Sequence, residues 1–114
     1  MLAKSHRLTS NEVGHIIQKG KKYHHEFLFV RVLPSYDQKS KFGIVISAKT
    51  VPHAVDRNRI RRQTYSVIQK HTSTTPFPFR TLISYRSNPP GLSFDLIEKN
   101  MVSLLKKIHQ TSST

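Results

Sequence analysis

The sequence of 114 residues contains no cysteine and only six acidic residues. Without cysteine the chain can form no disulfide, and it offers neither a thiolate metal ligand nor a thiol nucleophile, which fits the reducing cytoplasm. No segment approaches the roughly 20 apolar residues of a membrane-spanning helix, and the first thirty residues lack the apolar core of a secretory signal. We therefore expect a cytoplasmic protein that performs no redox chemistry and does not enter a membrane.

Positive charge, by contrast, is abundant. Nineteen lysines and arginines give a formal net charge of +13 and an isoelectric point near 10.6. Self-repulsion of this size destabilises a compact chain unless a polyanion neutralises it, so nucleic acid is the leading partner. An acidic membrane surface is the weaker alternative, because the basic residues do not form one amphipathic surface helix. The length fits one domain, and we expect residues 1–114 to form it, with 1–6 and 110–114 frayed.

The spacing of apolar residues predicts three helices and three or four strands. Thr9 and Glu12 have the spacing of a capping box at the start of a first helix, which Gly20 ends. A second helix is predicted from about residue 54 to 71, and a third begins after Ser93, whose side chain can cap it. Strands are predicted at 27–33, 42–47 and 79–86, with a further short strand near 21–24. These elements fit an α/β two-layer sandwich.

Two further expectations concern the strands. The polar loop between 27–33 and 42–47 predicts that these two strands pair as a hairpin. The second of them is apolar along nearly its whole length, which is typical of a central strand covered on both faces. Residues of opposite character alternate from Phe79 to Arg86, which is typical of a half-buried strand.

The second predicted helix begins with a cluster of basic residues. Within six positions it holds four arginines and one asparagine: Arg57, Asn58, Arg59, Arg61 and Arg62. At about 100° per residue, Asn58, Arg59 and Arg62 fall opposite the apolar stripe of the helix. Arg57 and Arg61 fall on its flank, where their stems can lie along the sheet. Arginine binds phosphate oxygens in pairs and stacks on bases, so this cluster predicts RNA binding, with a merely solvated basic face as the alternative.

This stretch also resembles a known signature. The segment Ser47-Ala48-Lys49, followed by 54–62 (AVDRNRIRR), closely resembles the Ser-x-Lys and Ala-Val-x-Arg-Asn-Arg-x-x-Arg pattern of the bacterial ribonuclease P protein family. Other features fall where that family has counterparts: Arg7-Leu8, Gly20, the Phe-rich strand, Phe42-Gly43, Arg86 and the amphipathic last helix. The resemblance therefore covers nearly the whole chain.

The resemblance implies a fold and a function. The fold is an α/β (α+β) two-layer sandwich with a four-stranded mixed sheet, three helices and a left-handed βαβ crossover, similar to the second domain of ribosomal protein S5. The function is that of a protein subunit that binds a catalytic RNA and the 5′ leader of precursor tRNA, promoting removal of the leader. Catalysis and Mg²⁺ would reside mainly with the RNA, no organic cofactor is implied, and no protein oligomer is required. No catalytic or metal-ligating side chain is assigned.

The resemblance also implies residue roles. Contacts to the catalytic RNA are expected from Lys49, Arg57, Asn58, Arg59, Arg61 and Arg62, and His53 beside them is a further candidate. The leader cleft is expected to contain Arg7, Val13, Ile17, Phe27, Phe29, Tyr85 and Arg86. Many family members have aromatic residues where this chain has Val13 and Ile17, so leader binding is expected to be weaker or to rely on the phenylalanines and Tyr85.

The sequence leaves two other functions open. A ribosomal or other structural RNA-binding protein has the same size and charge, and selectivity between RNAs at matched salt would separate it from a ribonuclease P subunit. A nuclease acting alone is suggested by seven histidines, including His24-His25, and by Ser47, His53 and Asp56 lying close in sequence. The acidic residues are scattered, however, and no HExxH or paired-carboxylate pattern is present.

Overall fold

The computed structural model describes residues 7–35, 40–72, 79–87 and 93–112. These ranges contain three helices and four strands: α1 (Ser10–Lys19), β1 (Lys21–His24), β2 (Leu28–Pro34), β3 (Lys41–Val45), α2 (Ala54–Thr72), β4 (Phe79–Tyr85) and α3 (Phe94–Ser112). The predicted elements are therefore confirmed, including the short strand at 21–24. Residues 1–6, for which a frayed end is predicted, lie outside the described residues, as do 36–39, 73–78, 88–92 and 113–114.

Local capping explains where the helices begin and end. The Thr9 hydroxyl accepts a hydrogen bond from the Glu12 amide at 3.2 Å, and the Thr9 amide donates to Glu12 Oε1 at 3.0 Å, so the predicted capping box is confirmed. At the other end of α1, a Cβ on Gly20 would lie 2.5 Å from the Ile16 carbonyl oxygen, so only glycine fits that close approach. The Ser93 hydroxyl accepts from the Leu96 amide at 3.3 Å, which confirms the cap of α3.

The end of α3 differs from the prediction. The helix continues to Ser112, beyond the residue at which a frayed end was expected. Ile108 is fully buried and anchors the last turns. Once a helix is anchored, each added residue gains a backbone hydrogen bond at little further cost, so the polar sequence after it continues the helix.

The sheet has the strand order β1-β2-β4-β3. Strand β2 pairs antiparallel with both β1 and β4, while β3 and β4 are parallel, so the sheet is mixed as expected. The predicted hairpin of β2 and β3 is wrong, because β4 lies between them. A parallel pair needs a crossover connection, and α2 provides it between β3 and β4.

The predicted positions of β3 and β4 are also wrong, and they are exchanged. Strand β4 is central and buried at six of its seven residues, although three of the seven are polar. Arg80, 4% exposed, has Nη1 3.9 Å from Glu12 Oε2, whereas the buried Thr81 hydroxyl has no hydrogen-bond partner among the described residues. Strand β3 is an edge strand, where Val45 is 47% exposed, and only its beginning is covered by a bridge between Arg7 and Phe42.

The two faces of the sheet are covered differently. On one face α2 and α3 pack together over a large core that includes Val30, Ile83 and, from α2, Ile60, Val67 and Ile68, which confirms the predicted apolar stripe. On the other face the short α1 is the one described element that packs against β2 and β4, and it buries Ile16 and Leu82. Part of this second face therefore stays open.

No helix among the described residues is long and apolar enough to span a membrane.

Candidate nucleic-acid interface

Two surfaces contain most of the predicted site residues. The first is the outer side of α2, where Asn58, Arg59 and Arg62 project opposite the fully buried Ile60 and Thr64; we call these three residues the arginine face. Among the described residues, no hydrogen bond or ion pair engages the Arg59 or Arg62 guanidinium group. Asp56 is the only acidic residue of α2. The arginine face therefore presents positive charge that the described part of the chain does not neutralise.

The turn before α2 holds two further predicted RNA contacts. Ser47 folds this turn, since its hydroxyl accepts from the Thr50 amide at 3.1 Å and its carbonyl accepts from the Val51 amide at 3.0 Å. Val51 is buried and anchors the turn to the core. As a result, Lys49 and His53 are both exposed next to the first turn of α2.

Arg57 has a structural role that sequence reasoning missed. Its Nη1 donates to the carbonyl oxygens of Val51 at 2.8 Å and Pro52 at 3.0 Å, so it ties the start of α2 to the preceding turn. The residue is half-buried. Its predicted contact with RNA would have to use the other donors of the same guanidinium group.

The flank of α2 contains a recess of about 210 Å³, lined by Asn58, Arg61, Arg62 and Tyr65. Arg61 Nη1 donates to Asn58 Oδ1 at 3.0 Å. Burial raises the pKa of Tyr65 above its usual value, although the charges of Arg7 and Arg61 act in the opposite direction. The hydroxyl is therefore protonated at neutral pH. Sequence analysis did not assign Tyr65 to the site; its position one helical turn after Arg61 is the signal that could have found it.

The second surface is the open part of the sheet beside α1. Residues directly opposite one another in neighbouring strands share a face. Four such partners cross the whole sheet and define what we call the open row: His24 in β1, Phe29 in β2, Ser84 in β4 and Val45 in β3. All four are exposed or half-buried. The row thus forms a continuous accessible strip beside α1.

Phe29 is the aromatic centre of the open row. Lys22 Nζ lies 4.4 Å and Arg31 Cζ 5.2 Å from the centroid of its ring, and the His24 ring lies 5.9 Å away. A cation over an aromatic face is attracted by the ring quadrupole. The phenylalanine therefore sits in a positively charged setting that suits a base attached to phosphate.

The structure brings some of the predicted cleft residues together and separates others from them. Val13 and Ile17 lie on α1, on the same side of the sheet as Phe29, and Ile17 is 52% exposed. Arg7 bridges to Phe42 at the edge of β3, and its charge acts on Tyr65 of α2. Arg7 therefore lies at the edge of β3 and does not line the recess of α2.

Phe27 and Tyr85 do not lie in the cleft, which corrects the prediction. Both are buried in the core on the opposite face of the sheet, with ring centroids 6.0 Å apart. The Tyr85 and Thr64 hydroxyl oxygens are hydrogen-bonded at 2.6 Å, and burial raises the pKa of Tyr85 to about 12. The alternation of β4 points Tyr85 towards α2, so neither ring can stack on a base without unfolding the core.

Arg86 is exposed but already engaged. Its Nη2 donates to the carbonyl oxygens of His25 at 3.0 Å and Glu26 at 3.1 Å, and its amide donates to the Phe27 carbonyl at 2.8 Å. Arg86 thereby holds the β1–β2 turn against the end of β4. A contact with a leader stays a prediction for this residue.

A cluster of charges fixes α1 over the sheet. Lys41 Nζ lies 3.2 Å from Glu12 Oε2, and Arg80 approaches the same oxygen. Burial opposes ionisation of Glu12, but hydrogen bonds from the Thr9 amide and from Lys41 outweigh it and hold the pKa of Glu12 below its usual value. The cluster ties the start of α1 to β3 and β4, and so sets how much of the sheet α1 leaves open.

The described residues offer no cluster of metal ligands. Residues 7–35, 40–72, 79–87 and 93–112 contain no group of three or more His, Asp or Glu side chains that could hold a metal ion. Glu98, for example, is engaged by Lys70 Nζ at 2.9 Å and His71 Nε2 at 3.3 Å. The described side chains therefore do not fit a magnesium site of their own.

Comparison with known proteins gives one consistent result. The family model described as Ribonuclease P matches residues 2–109. The ribonuclease P protein component of Rippkaea orientalis is 32% identical over 112 residues, covering 93% of this chain and 88% of that protein. That of Syntrophomonas wolfei is 28% identical over 108 residues, covering 94% of this chain and 90% of that protein.

Solved structures share the fold. The RNase P protein from Thermotoga maritima superimposes with a TM-score of 0.79 at 22% identity, covering 89% of this chain and 96% of that one. The RNase P protein of Staphylococcus aureus gives a TM-score of 0.81 at 20% identity, covering 92% and 96%. The similarity thus extends over nearly the full length of each compared chain.

Proposed function

Because this chain belongs to the ribonuclease P protein family, we propose that it is the protein subunit that binds the catalytic RNA and the 5′ leader of precursor tRNA. In this role it promotes the endonucleolytic removal of the leader, which gives the mature 5′ end of the tRNA. The complex acts in the cytoplasm, and the protein needs no second copy of itself.

The observation that carries the proposal is the arginine face of α2. Arg59 and Arg62 project from the side opposite the core and are not neutralised by other described residues. A folded protein gains no stability from unpaired like charges on one helix, whereas an RNA partner gains from each phosphate that a guanidinium neutralises. Lys49 extends the same positive surface at the start of α2, and His53 is exposed beside it.

The open row supports the second half of the proposal. Phe29 with Lys22 and Arg31 combines a stacking surface with cations that can meet phosphates. With Phe27 and Tyr85 buried in the core, Phe29 is the one aromatic residue of the predicted cleft set that can stack. We therefore assign the leader to the strip between α1 and β1, with Val13 and Ile17 as its apolar side.

The hydrolysis itself we assign to the RNA. The described residues contain no group of three or more His, Asp or Glu side chains that could hold a metal ion. The Mg²⁺ that the reaction uses would then be held mainly by the RNA. The chain's own contribution is positive charge and shape, which strengthen binding of substrate at moderate salt.

The test is cleavage of a 5′-extended precursor tRNA in Mg²⁺ at near-physiological salt. Three mixtures are compared: the protein alone, the matching ribonuclease P RNA alone, and both together. We expect efficient cutting at the mature 5′ end only in the third mixture. Cutting by the protein alone would refute the assignment of chemistry to the RNA, and no effect of the protein would favour a ribosomal or other structural RNA-binding role.

A further inference from the structure

The recess on the flank of α2 has an unusual lining. It measures about 210 Å³, and each of its four lining side chains ends in a planar group: the amide of Asn58, the guanidinium groups of Arg61 and Arg62, and the phenol of Tyr65. No carboxylate lines it. Planar groups around a small recess suit a planar ligand, because flat rings and guanidinium groups stack on one another.

The hydrogen-bonding character of the recess is one-sided. Asn58 Oδ1 already accepts a hydrogen bond from Arg61 at 3.0 Å, which uses one of its two lone pairs, so the two N–H donors are the larger part of what the amide has left to offer. Both guanidinium groups can only donate. Burial keeps the Tyr65 hydroxyl protonated, so it can donate as well. The recess therefore presents donors to a ligand that is planar and carries acceptors.

The shape of the site distinguishes a base from a phosphate. Phosphates lie along the outside of an RNA strand and meet charges that project, as Arg59 and Arg62 do on the arginine face. A recess is reached only by a group that projects from the backbone, which in RNA is an unstacked base. Among the bases, guanine presents two adjacent acceptors, O6 and N7, on one edge, whereas adenine places a donor beside N7. Arg61 already uses one of the two lone pairs of Asn58 Oδ1, the oxygen that would have to accept from that adenine donor.

We propose that this recess binds one unstacked guanine of the RNA partner, with Asn58 and Arg61 donating to its O6 and N7 edge and Tyr65 closing the wall. The inference rests on the proposed function, because the ribonuclease P RNA supplies the base. It adds to that function a contact that reads a base, whereas Arg59, which lies outside the recess, meets only charge.

Dimethyl sulfate, which methylates guanine N7, tests the inference on the complex of full-length protein and matching ribonuclease P RNA. With the wild-type protein, we expect one guanine to lose N7 reactivity. Asn58→Ala removes an exposed amide without changing the charge and should restore that reactivity, with affinity roughly tenfold weaker and an unchanged salt slope. Tyr65→Phe, which removes only the hydroxyl, should restore it in part even if larger changes at this buried residue impair folding.

Gln69→Ala is the matched control, since Gln69 is an exposed neutral residue of α2 that lies outside the recess. It should leave both N7 protection and affinity unchanged. If the wild-type protein binds the RNA selectively but protects no guanine N7, or if the protection persists in Asn58→Ala, the inference is overturned while the proposed function stands. A wild-type protein that shows no preference for ribonuclease P RNA would refute the proposed function, and the inference with it.

Discussion

Arginine is used in two different ways in this molecule. On the outer side of α2, Arg59 and Arg62 project from the fold and are engaged by no other described residue. Beneath α1, Arg80 is 4% exposed in the central strand and lies beside Glu12. One group of charges holds the fold together, and the other is left for a partner. A count of basic residues cannot separate the two groups, although they should respond to mutation in opposite ways.

Arg57 and Arg86 lie between these extremes. Each uses one terminal nitrogen to bind two backbone carbonyl oxygens, of the turn before α2 and of the β1–β2 turn respectively. Their guanidinium groups stay accessible at the same time, since neither residue is fully buried. The difference between a structural and a binding arginine is thus one of degree, set by how many donors the fold already uses.

The largest effect on stability is expected from replacing the buried Arg80. Arg80→Ala removes a buried side chain and leaves Glu12 with Lys41 as its basic partner, so the free energy of unfolding should fall by about 3 kcal/mol. Urea unfolding measures this directly. RNA affinity, corrected for the folded fraction, should not change.

Arg80→Met is the matched control for that experiment, because it keeps most of the side-chain volume and removes only the charge. It should cost less than Arg80→Ala. Equal stability of the wild type and Arg80→Ala would show that the buried arginine does not hold α1 and the sheet together.

Removing the exposed charges of Arg59 and Arg62 should leave the stability unchanged and weaken RNA binding. The double variant Arg59→Ala with Arg62→Ala should unfold at the same urea concentration as the wild type, since neither side chain contacts another described residue through a hydrogen bond or ion pair. Its affinity for ribonuclease P RNA should fall by about 2 kcal/mol, and the slope of log affinity against log salt should fall by about two. Filter binding at several salt concentrations measures both quantities. An unchanged affinity and slope in the folded double variant would contradict the binding role of the arginine face.

The same comparison explains what the sequence could and could not predict. The capping box at Thr9, the stripe of α2 and the exposed side of the arginine cluster follow from local spacing, and the structure agrees with each of them. Strand order could not be predicted locally, because it depends on which strand can bury both faces. Arg80 made β4 look half-exposed, and the ion pair with Glu12 that permits its burial is formed across a gap of 68 residues in sequence.

The predictions that placed Phe27 and Tyr85 in the cleft were wrong for the same reason. Which face of the sheet a side chain meets depends on the register of β2 and β4, so aromatic character alone could not separate Phe29 from Tyr85. Arg57 was predicted only as an RNA contact, and Tyr65 was not predicted as a site residue. The Val51 carbonyl, which Arg57 binds, and Arg7, whose charge acts on Tyr65, are brought near only by the folded turn and the edge of β3. In each case the missing information was a tertiary contact and not a residue type.

The smallest effect is expected from the titration of Glu12. Its pKa is lower in the folded chain than in the unfolded one, where it should be near the ordinary value of about 4.3. At acidic pH the unfolded state therefore binds more protons, so the stability that Glu12 contributes is present above that value and is lost as the pH falls through its folded pKa. Because the carboxylate is only partly buried, we expect the loss to be no more than about 1 kcal/mol. Glu12→Gln should be less stable than the wild type at neutral pH, and the difference should shrink as the pH falls below about 4. Urea unfolding of both proteins across this range measures it, and a difference that stays constant with pH would mean that the Glu12 charge contributes nothing to holding α1 on the sheet.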